Sequence, residues 1–146
     1  MRIISILLAA VLALAVGKAA MAEEAMHKIA FHVDQNDPAV MNLALNNVAN
    51  VRKHYQSKGE TVQIEVITYG PGLAMLIDGA SPVKDRISAM SLEDPTLQFS
   101  ACGNTMAAMS KKTGQEVRLV AEARVVPSGV IRLMELQEQG YSYVKP

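Results

Sequence analysis

The sequence predicts an α/β domain of three layers, α/β/α, in which helices cover both faces of a mainly parallel five-stranded sheet. Short apolar runs that are rich in β-branched residues alternate with longer segments of helical periodicity, which is the pattern of parallel α/β domains. Proline and glycine stand where the predicted helices begin and end. No internal repeat, low-complexity tract or linker divides the chain, so we predict one domain.

The first strand and helix have the clearest signals. Residues 27–34 form a largely apolar run, which is typical of a strand covered on both faces. A helix is expected next, with Asp37 as its N-cap, Pro38 as its first residue and Gly59 at its end. One face of this helix is predicted to be buried, because apolar residues recur there at helical spacing. They are Val40, Leu43, Ala44, Val48, Val51 and Tyr55.

The second strand is predicted over residues 61–69, which are rich in β-branched side chains. The GPG turn at residues 70–72 ends it, and a short helix is expected over 73–77. Another helix is predicted to begin with Ser81 as its N-cap and Pro82 as its first residue.

The third strand is predicted over residues 96–101, and the helix after it is expected to begin near Asn104 and to end at Gly114. The stretch beyond Gly114 is ambiguous, because both 117–121 and 123–126 suit a strand. We favour 123–126, with a helical turn before it.

The last predicted elements are a helix and a strand. Ser128 suits the N-cap of the helix and Gly140 its end, since apolar residues between them recur at helical spacing. Residues 141–145 then suit a fifth strand.

The amino-terminal segment has the features of a secretory signal peptide over residues 1–22. A basic residue, Arg2, precedes an apolar run at 3–16, and residues 20–22 form the small-residue pattern of a cleavage site. The apolar run is shorter than the roughly 18 residues that suggest a spanning helix. We therefore expect a single mature domain over 23–146, periplasmic or secreted, with no membrane anchor.

The charge of the mature chain gives no reason to expect nucleic acid or anionic lipid as a partner. The chain has 14 basic and 14 acidic residues, and residues 1–22 contain Arg2 and Lys18 but no acid. Cleavage therefore leaves 12 basic and 14 acidic residues in a mature chain of 124 residues. A domain of this size buries a core without disulfides, and its slightly negative charge favours no nucleic-acid partner.

Cys102 is the only cysteine of the chain and its candidate nucleophile. It follows the third strand, at the sheet edge where open parallel α/β domains bind ligands. The start of the next helix would direct amides at the sulfur and lower its pKa. Gly103 permits a close turn there, and Asn104 or Thr105 can cap the helix. Unpaired cysteine in an exported protein suggests a reactive thiol, yet free cysteine also packs as a small buried apolar group, so both interpretations stay open.

Strand alternation places Gln98 and Ser100 on the same face of the sheet as Cys102. Polar side chains on an inner face need hydrogen-bond partners. We therefore expect this face to be thinly covered, to line a cleft or subunit contact, or to belong to an edge strand.

The GPG turn resembles the beginning of a phosphate-binding loop, but Met75 stands where the dinucleotide fingerprint needs its last glycine. We interpret it as a turn at the end of a strand, with Gly70 and Gly72 beside the same crevice as Cys102. No cofactor is expected.

No metal site is expected from the histidines or methionines. His27, His32 and His54 lack the spacing of metal ligands, and only His32 is kept as a candidate site residue. Met106 and Met109 lie one helical turn apart and, with the thiolate, have the chemistry of a Cu(I) site. Methionine at helical spacing usually fills a core, which is the interpretation that we favour.

Two segments carry a family resemblance, FSACGNTM at 99–106 and VVPSGVIRLMELQEQGYSYVKP at 125–146. They closely resemble the exported, single-cysteine branch of the DsrE/DsrF-like family. The likeness extends from His27 to Pro146, with the first strand, the GPG turn, the Cys-Gly-Asn-Thr element and the carboxyl-terminal block in the expected order. It implies a parallel five-stranded α/β/α domain that assembles as trimers or hexamers.

The resemblance also implies a role in sulfur transfer. Cytoplasmic relatives act as sulfur carriers, in which a cysteine after a central strand accepts persulfide sulfur and hands it on. Carried over, that role falls on Cys102 alone, with a thiol or persulfide as its partner. Our leading interpretation is an exported protein that carries persulfide sulfur or does thiol redox chemistry on Cys102. The alternative is a non-enzymatic oligomeric binding or assembly module whose cysteine is structural.

Overall fold

A computed structural model describes residues 26–146 of the chain. The strands are β1 (Met26–Val33), β2 (Thr61–Thr68), β3 (Gln98–Cys102), β4 (Ala123–Val126) and β5 (Ser142–Val144). The helices are α1 (Pro38–Gln56), α2 (Lys84–Glu93), α3 (Gly103–Thr113) and α4 (Gly129–Glu138), with a 3-10 helix over Gly70–Leu76. All strand pairs are parallel, in the order β4-β3-β2-β1-β5. The predicted α/β fold is confirmed.

Helix α1 begins where the sequence predicts. The Asp37 side chain accepts a hydrogen bond from the Ala39 amide at 2.8 Å, and Pro38 is the first helical residue. The helix ends at Gln56, three residues before Gly59, which lies in the following turn with φ +71°. A positive φ is the conformation that glycine adopts without a steric cost, so Gly59 ends the turn rather than the helix.

The start of α2 differs from the prediction that Ser81 and Pro82 begin it. This helix begins at Lys84, and no side chain caps it. The Ser81 hydroxyl donates to the Met75 carbonyl and accepts from the Val83 amide at 3.3 Å. The hydroxyl therefore joins the turn to the end of the 3-10 helix, which delays the start of α2 by two residues.

The segment before β4 also differs from the prediction, although β4 itself is the strand that we favoured. No helix lies between α3 and β4, and only a single turn, in which the Ala123 amide donates to the Val120 carbonyl at 3.1 Å, directly precedes the strand. Leu119 forms an antiparallel bridge with Ile77, and the Val120 amide donates to the Leu76 carbonyl at 2.9 Å. The end of the 3-10 helix thus supplies partners that keep this backbone extended. The 3-10 helix itself starts at Gly70, three residues earlier than the predicted short helix.

The two faces of the sheet are covered unequally. Helices α1, α2, α3 and the 3-10 helix cover one face and enclose the main core. Its largest fully buried side chains include Phe31, Leu45, Ile64, Leu73, Ile87 and Phe99. Helix α4 alone covers the other face, over a small cluster of Ala30, Ile67, Leu133, Leu136 and Tyr141. A thinly covered face was one of the alternatives that the sequence left open for the Cys102 side of β3, and this is that face.

The predicted signal peptide, residues 1–22, lies outside the described residues. Among residues 26–146, no helix is long and apolar enough to span a bilayer.

Candidate functional site at the carboxyl edge of the sheet

Cys102 is the last residue of β3 and the N-cap of α3. The sequence placed it one residue beyond this strand. The strand register pairs Ala101 with Thr68 of β2 and Cys102 with Val126 of β4. Tyr69, the residue after Thr68, therefore lies beside Cys102 on the neighbouring strand, since cross-strand neighbours in register share a face.

The first residue of α4, Gly129, lies against both of these side chains. A Cβ at Gly129 would be 2.9 Å from Tyr69 Cδ1 and 3.3 Å from Cys102 Cβ. Only a residue without a side chain lets the start of α4 approach so closely. Cys102 is 4% exposed, so the thiol lies beneath the junction of β2, β3 and the two helices that begin at this edge.

The surroundings of the sulfur lower its pKa. Burial alone raises the pKa of the Cys102 thiol, but the Thr105 hydroxyl and the backbone amides of Gly129, Thr105 and Asn104 stabilise the thiolate. Together these donors outweigh burial and place the pKa below the ordinary value of 9.0. The sulfur thus faces the starts of two helices, α3 and α4, where partial positive charge favours an anion.

Thr105 links the GPG turn to the sulfur. The Gly70 amide donates to Thr105 Oγ1 at 3.0 Å. A threonine hydroxyl has a single proton, so this contact uses the oxygen as an acceptor and leaves the proton for Cys102. Gly70 has φ +53°, a conformation that favours glycine. Gly70, Thr105 and Cys102 therefore form one chain of contacts.

Replacing Thr105 with valine is expected to slow modification of Cys102 by iodoacetamide about tenfold at pH 7, because a hydrogen bond to a charged sulfur is lost. The midpoint of the curve of alkylation rate against pH should move to higher pH, since the thiolate is the reacting form. Thr105→Ser keeps the hydroxyl and should restore the wild-type profile. An unchanged profile in the valine variant would show that the Thr105 hydroxyl does not stabilise the thiolate.

The remaining predicted site residues act through the backbone. A Cβ at Gly103 would lie 3.2 Å from the Val126 carbonyl oxygen, so this glycine lets α3 pack against β4. The prediction that Asn104 or Thr105 caps α3 is wrong, because Cys102 occupies the N-cap. The Asn104 side chain is exposed, and the backbone amide of this residue donates to the Pro127 carbonyl at 3.2 Å.

Gly72 serves packing rather than the thiol. Its Cβ would lie 2.2 Å from the Val33 carbonyl oxygen and 2.7 Å from Asp34 Cα. The 3-10 helix therefore approaches the end of β1 at backbone contact, which no other residue type permits. Gly72 lies at the predicted edge of the sheet, but its contacts are with β1.

His32 lies near the site because its ring contacts that of Tyr69, the neighbour of Cys102. The residue is 3% exposed, and its ring stacks on the Tyr69 ring with centroids 4.4 Å apart. Its Nδ1 lies 2.8 Å from the Tyr143 hydroxyl of β5. Burial lowers the pKa of His32 below 6.5, although Asp34 opposes this effect, so the ring is neutral at pH 7. The sequence had no signal for Tyr69 or Tyr143, because only the strand order brings them to His32.

No cluster of three or more His, Cys, Asp or Glu side chains suited to a metal ion occurs within residues 26–146. His27 lies 2.9 Å from Glu60 and stacks on Tyr55 at 3.8 Å, at the opposite edge of the sheet. Met106 and Met109 pack against the main core, which confirms their interpretation as packing residues.

A buried carboxylate beneath α4 was missed by the sequence analysis. Glu65 of β2 is 2% exposed. Arg132 of α4 donates to its two oxygens at 2.9 and 2.8 Å, Arg124 of β4 lies at 2.8 Å, and the Ser100 hydroxyl donates at 2.6 Å. Burial raises the pKa of Glu65, but these donors lower it below 4.5. Ser100 was expected to need a polar partner, and Glu65 is that partner.

Comparison with known proteins agrees with this architecture. The model of the DsrE/DsrF-like family matches residues 27–146. The chain belongs to this family. A solved DsrE-like fold that it resembles is MTH1491, a protein of unknown function from Methanobacterium thermoautotrophicum. The two are 28% identical with a TM-score of 0.71, over 82% of this chain and 99% of the other. No protein with a curated description matches the chain. Membership of the DsrE/DsrF-like family suggests a role related to sulfur relay.

Proposed function

We propose that this protein is exported and handles sulfur on Cys102, either by carrying a sulfane sulfur as a persulfide or by thiol redox chemistry. The observation that carries the proposal is the position of the sulfur at the starts of α3 and α4, where amides and the Thr105 hydroxyl lower its pKa. Membership of the DsrE/DsrF-like family supports the sulfur chemistry. The features of residues 1–22 support export.

The proposed carrier step needs no cofactor. The Cys102 thiolate attacks the outer sulfur of a donor persulfide, R–S–SH. A bond forms between the Cys102 sulfur and the outer sulfur of the donor, the S–S bond of the donor breaks, and the donor leaves as the thiolate R–S⁻. The proton stays on the transferred sulfur, so the product is Cys102–S–SH. An acceptor thiolate then attacks that outer sulfur and releases Cys102 as a thiolate.

The same groups serve both halves of the cycle. The amides of Asn104, Thr105 and Gly129 favour negative charge on the Cys102 sulfur, first when it is the nucleophile and later when it is the leaving group. A thiol that leaves readily as an anion hands its sulfur on faster. The lowered pKa therefore suits a carrier, which must both accept and release.

Intact-mass measurement tests the proposal. Wild-type protein incubated with inorganic polysulfide should gain about 32 Da, one sulfur atom, and lose it again on addition of a small thiol. Cys102→Ser should gain nothing. Absence of the addition in the wild type, or equal addition to the serine variant, would falsify the carrier proposal.

An assembly module is the second candidate, because Cys102 is buried and α4 exposes an apolar strip. Val130, Ile131 and Met134 of α4 are each about half exposed. Such a strip on the thinly covered face supports contact with other copies of the chain, as the trimers or hexamers of the family resemblance imply. A thiol that stays inert to polysulfide and to iodoacetamide in the native protein favours this candidate.

A further inference from the structure

The sulfur of Cys102 is enclosed by parts of the fold that differ in how easily they can move. Val126 lies beside it on β4 and Gly129 lies against it at the start of α4. Both are buried and belong to the sheet or to a helix, so moving them breaks backbone contacts. The first turn of α3 also faces the sulfur, through the Thr105 hydroxyl and backbone amides. Tyr69 lies on the β2 side, follows the end of that strand and is only partly buried. Tyr69 is therefore the side chain whose rotation exposes the sulfur at the least cost to the fold.

The Tyr69 ring stacks on His32, and His32 in turn is hydrogen-bonded to Tyr143. The Tyr69 ring lies 4.4 Å from the His32 ring, with 29° between their planes. The Tyr143 ring is tilted by 44° against the His32 ring with centroids 5.9 Å apart, and its hydroxyl lies 2.8 Å from Nδ1. Tyr143 belongs to the edge strand β5 and is 44% exposed. The position of Tyr69 thus depends on His32 directly and on Tyr143 through His32.

The closed stack leaves one polar atom unsatisfied. His32 Nε2 is buried and has no hydrogen-bond partner among residues 26–146. This holds for either tautomer, because the contact with Tyr143 uses only Nδ1. An unpaired buried polar atom destabilises the arrangement that buries it. The closed arrangement therefore carries an energetic cost at Nε2, which a position of Tyr69 that admits water to the ring edge would remove.

We infer that Tyr69 determines which compounds reach Cys102, and that its closed position on His32 admits small inorganic sulfane species while it excludes bulky thiols. The inference rests on the proposed function, because it names the substrate class of the same sulfur. A small donor needs only a slight displacement of the ring. A bulky thiol needs the whole Tyr69 side chain to leave the stack.

Two alkylating reagents of different size test this inference on the full mature chain. The rates of iodoacetamide and of a maleimide that carries a large fluorescent dye are measured at one pH, and their ratio is compared between variants. Both reagents attack the same thiolate, so the ratio is independent of any change in the pKa of Cys102. In Tyr69→Ala the rate of the bulky reagent relative to the small one should rise about tenfold. Tyr69→Phe keeps the stacking ring and should keep the wild-type ratio.

The chain offers a matched control at the opposite edge of the sheet. Tyr55 stacks on His27 with centroids 3.8 Å apart, far from Cys102 along the strands. Tyr55→Ala removes an equivalent ring and should leave the ratio unchanged. The inference is overturned if Tyr69→Ala leaves the ratio unchanged, or if Tyr55→Ala raises it as much.

Tyr143→Phe gives a second, milder test on an exposed strand. It removes the hydroxyl that holds His32, so it should raise the ratio of bulky to small reagent by a smaller factor than Tyr69→Ala. An unchanged ratio would contradict the role of His32 in holding Tyr69. Alkylation requires only a thiol, so failure of sulfur uptake and failure of this inference are separate results. Mass gain after adding inorganic polysulfide to wild type and Tyr69→Ala tests sulfur uptake. The alkylation ratio tests the role of Tyr69.

Discussion

Gly72→Ala is expected to lower the free energy of unfolding by about 3 kcal/mol, because the new methyl group has no space. It would lie 2.2 Å from the Val33 carbonyl oxygen and 2.6 Å from its carbon. Both atoms belong to the backbone of β1, so no side-chain rotation relieves the contact. The 3-10 helix must move away from the sheet, and Leu73, Met75 and Leu76, which are fully buried, move with it.

Gly59→Ala is the matched control for this substitution. Gly59 has φ +71° and open space around its Cβ position, so alanine there costs only the conformational strain of about 1 kcal/mol. Urea unfolding of both variants, followed by circular dichroism, measures the difference. Equal losses in the two variants would mean that the 3-10 helix does not contact β1 through Gly72.

Arg132→Met is expected to cost about 3 kcal/mol of unfolding free energy, since it removes a two-point partner from a buried carboxylate. Glu65 would keep Arg124 and Ser100 but would lose the hydrogen bonds at 2.9 and 2.8 Å to Arg132. The Arg124 side chain is more exposed than that of Arg132. Arg124→Met should therefore cost less and serves as the control.

The loss in Arg132→Met should depend on pH. The folded pKa of Glu65 is held below 4.5, so the contribution of its ionised form is present above pH 4.5 and is lost as the pH falls through the folded value. The difference in stability between wild type and Arg132→Met should therefore shrink below pH 4.5. A difference that stays constant from pH 7 to pH 3 would contradict the assigned role of Glu65.

Local signals in the sequence predicted the elements that depend on local physics. The cap at Asp37, the proline after it and the apolar spacing predicted α1, because each acts within a few residues. The position of Cys102 at the start of a helix was predicted for the same reason. The prediction that Ser81 caps α2 was wrong because its hydroxyl donates to the Met75 carbonyl instead. This contact depends on where the 3-10 helix ends, which the local sequence does not show.

The parts of the site that were missed depend on the order of the strands. Gly129 and Tyr69 reach Cys102 only because β2 and the start of α4 lie next to β3. Glu65 and Arg132 are 67 residues apart in the chain. Short-range patterns carry no information about such pairs. The alternation along β3 did place Ser100 on a polar face. This was the one local signal for the hydrogen-bond network around Glu65.

Helix α3 carries no fully buried side chain, although its first turn shapes the surroundings of the thiol. The buried side chains of the main core lie chiefly beneath α1, α2 and the 3-10 helix, and α3 adds only the partly buried Met106 and Met109. Substitutions at the outward positions of α3 should therefore change the free energy of unfolding little. A substitution in the first turn, such as Thr105→Val, should therefore change the acidity of the thiol while the free energy of unfolding changes little.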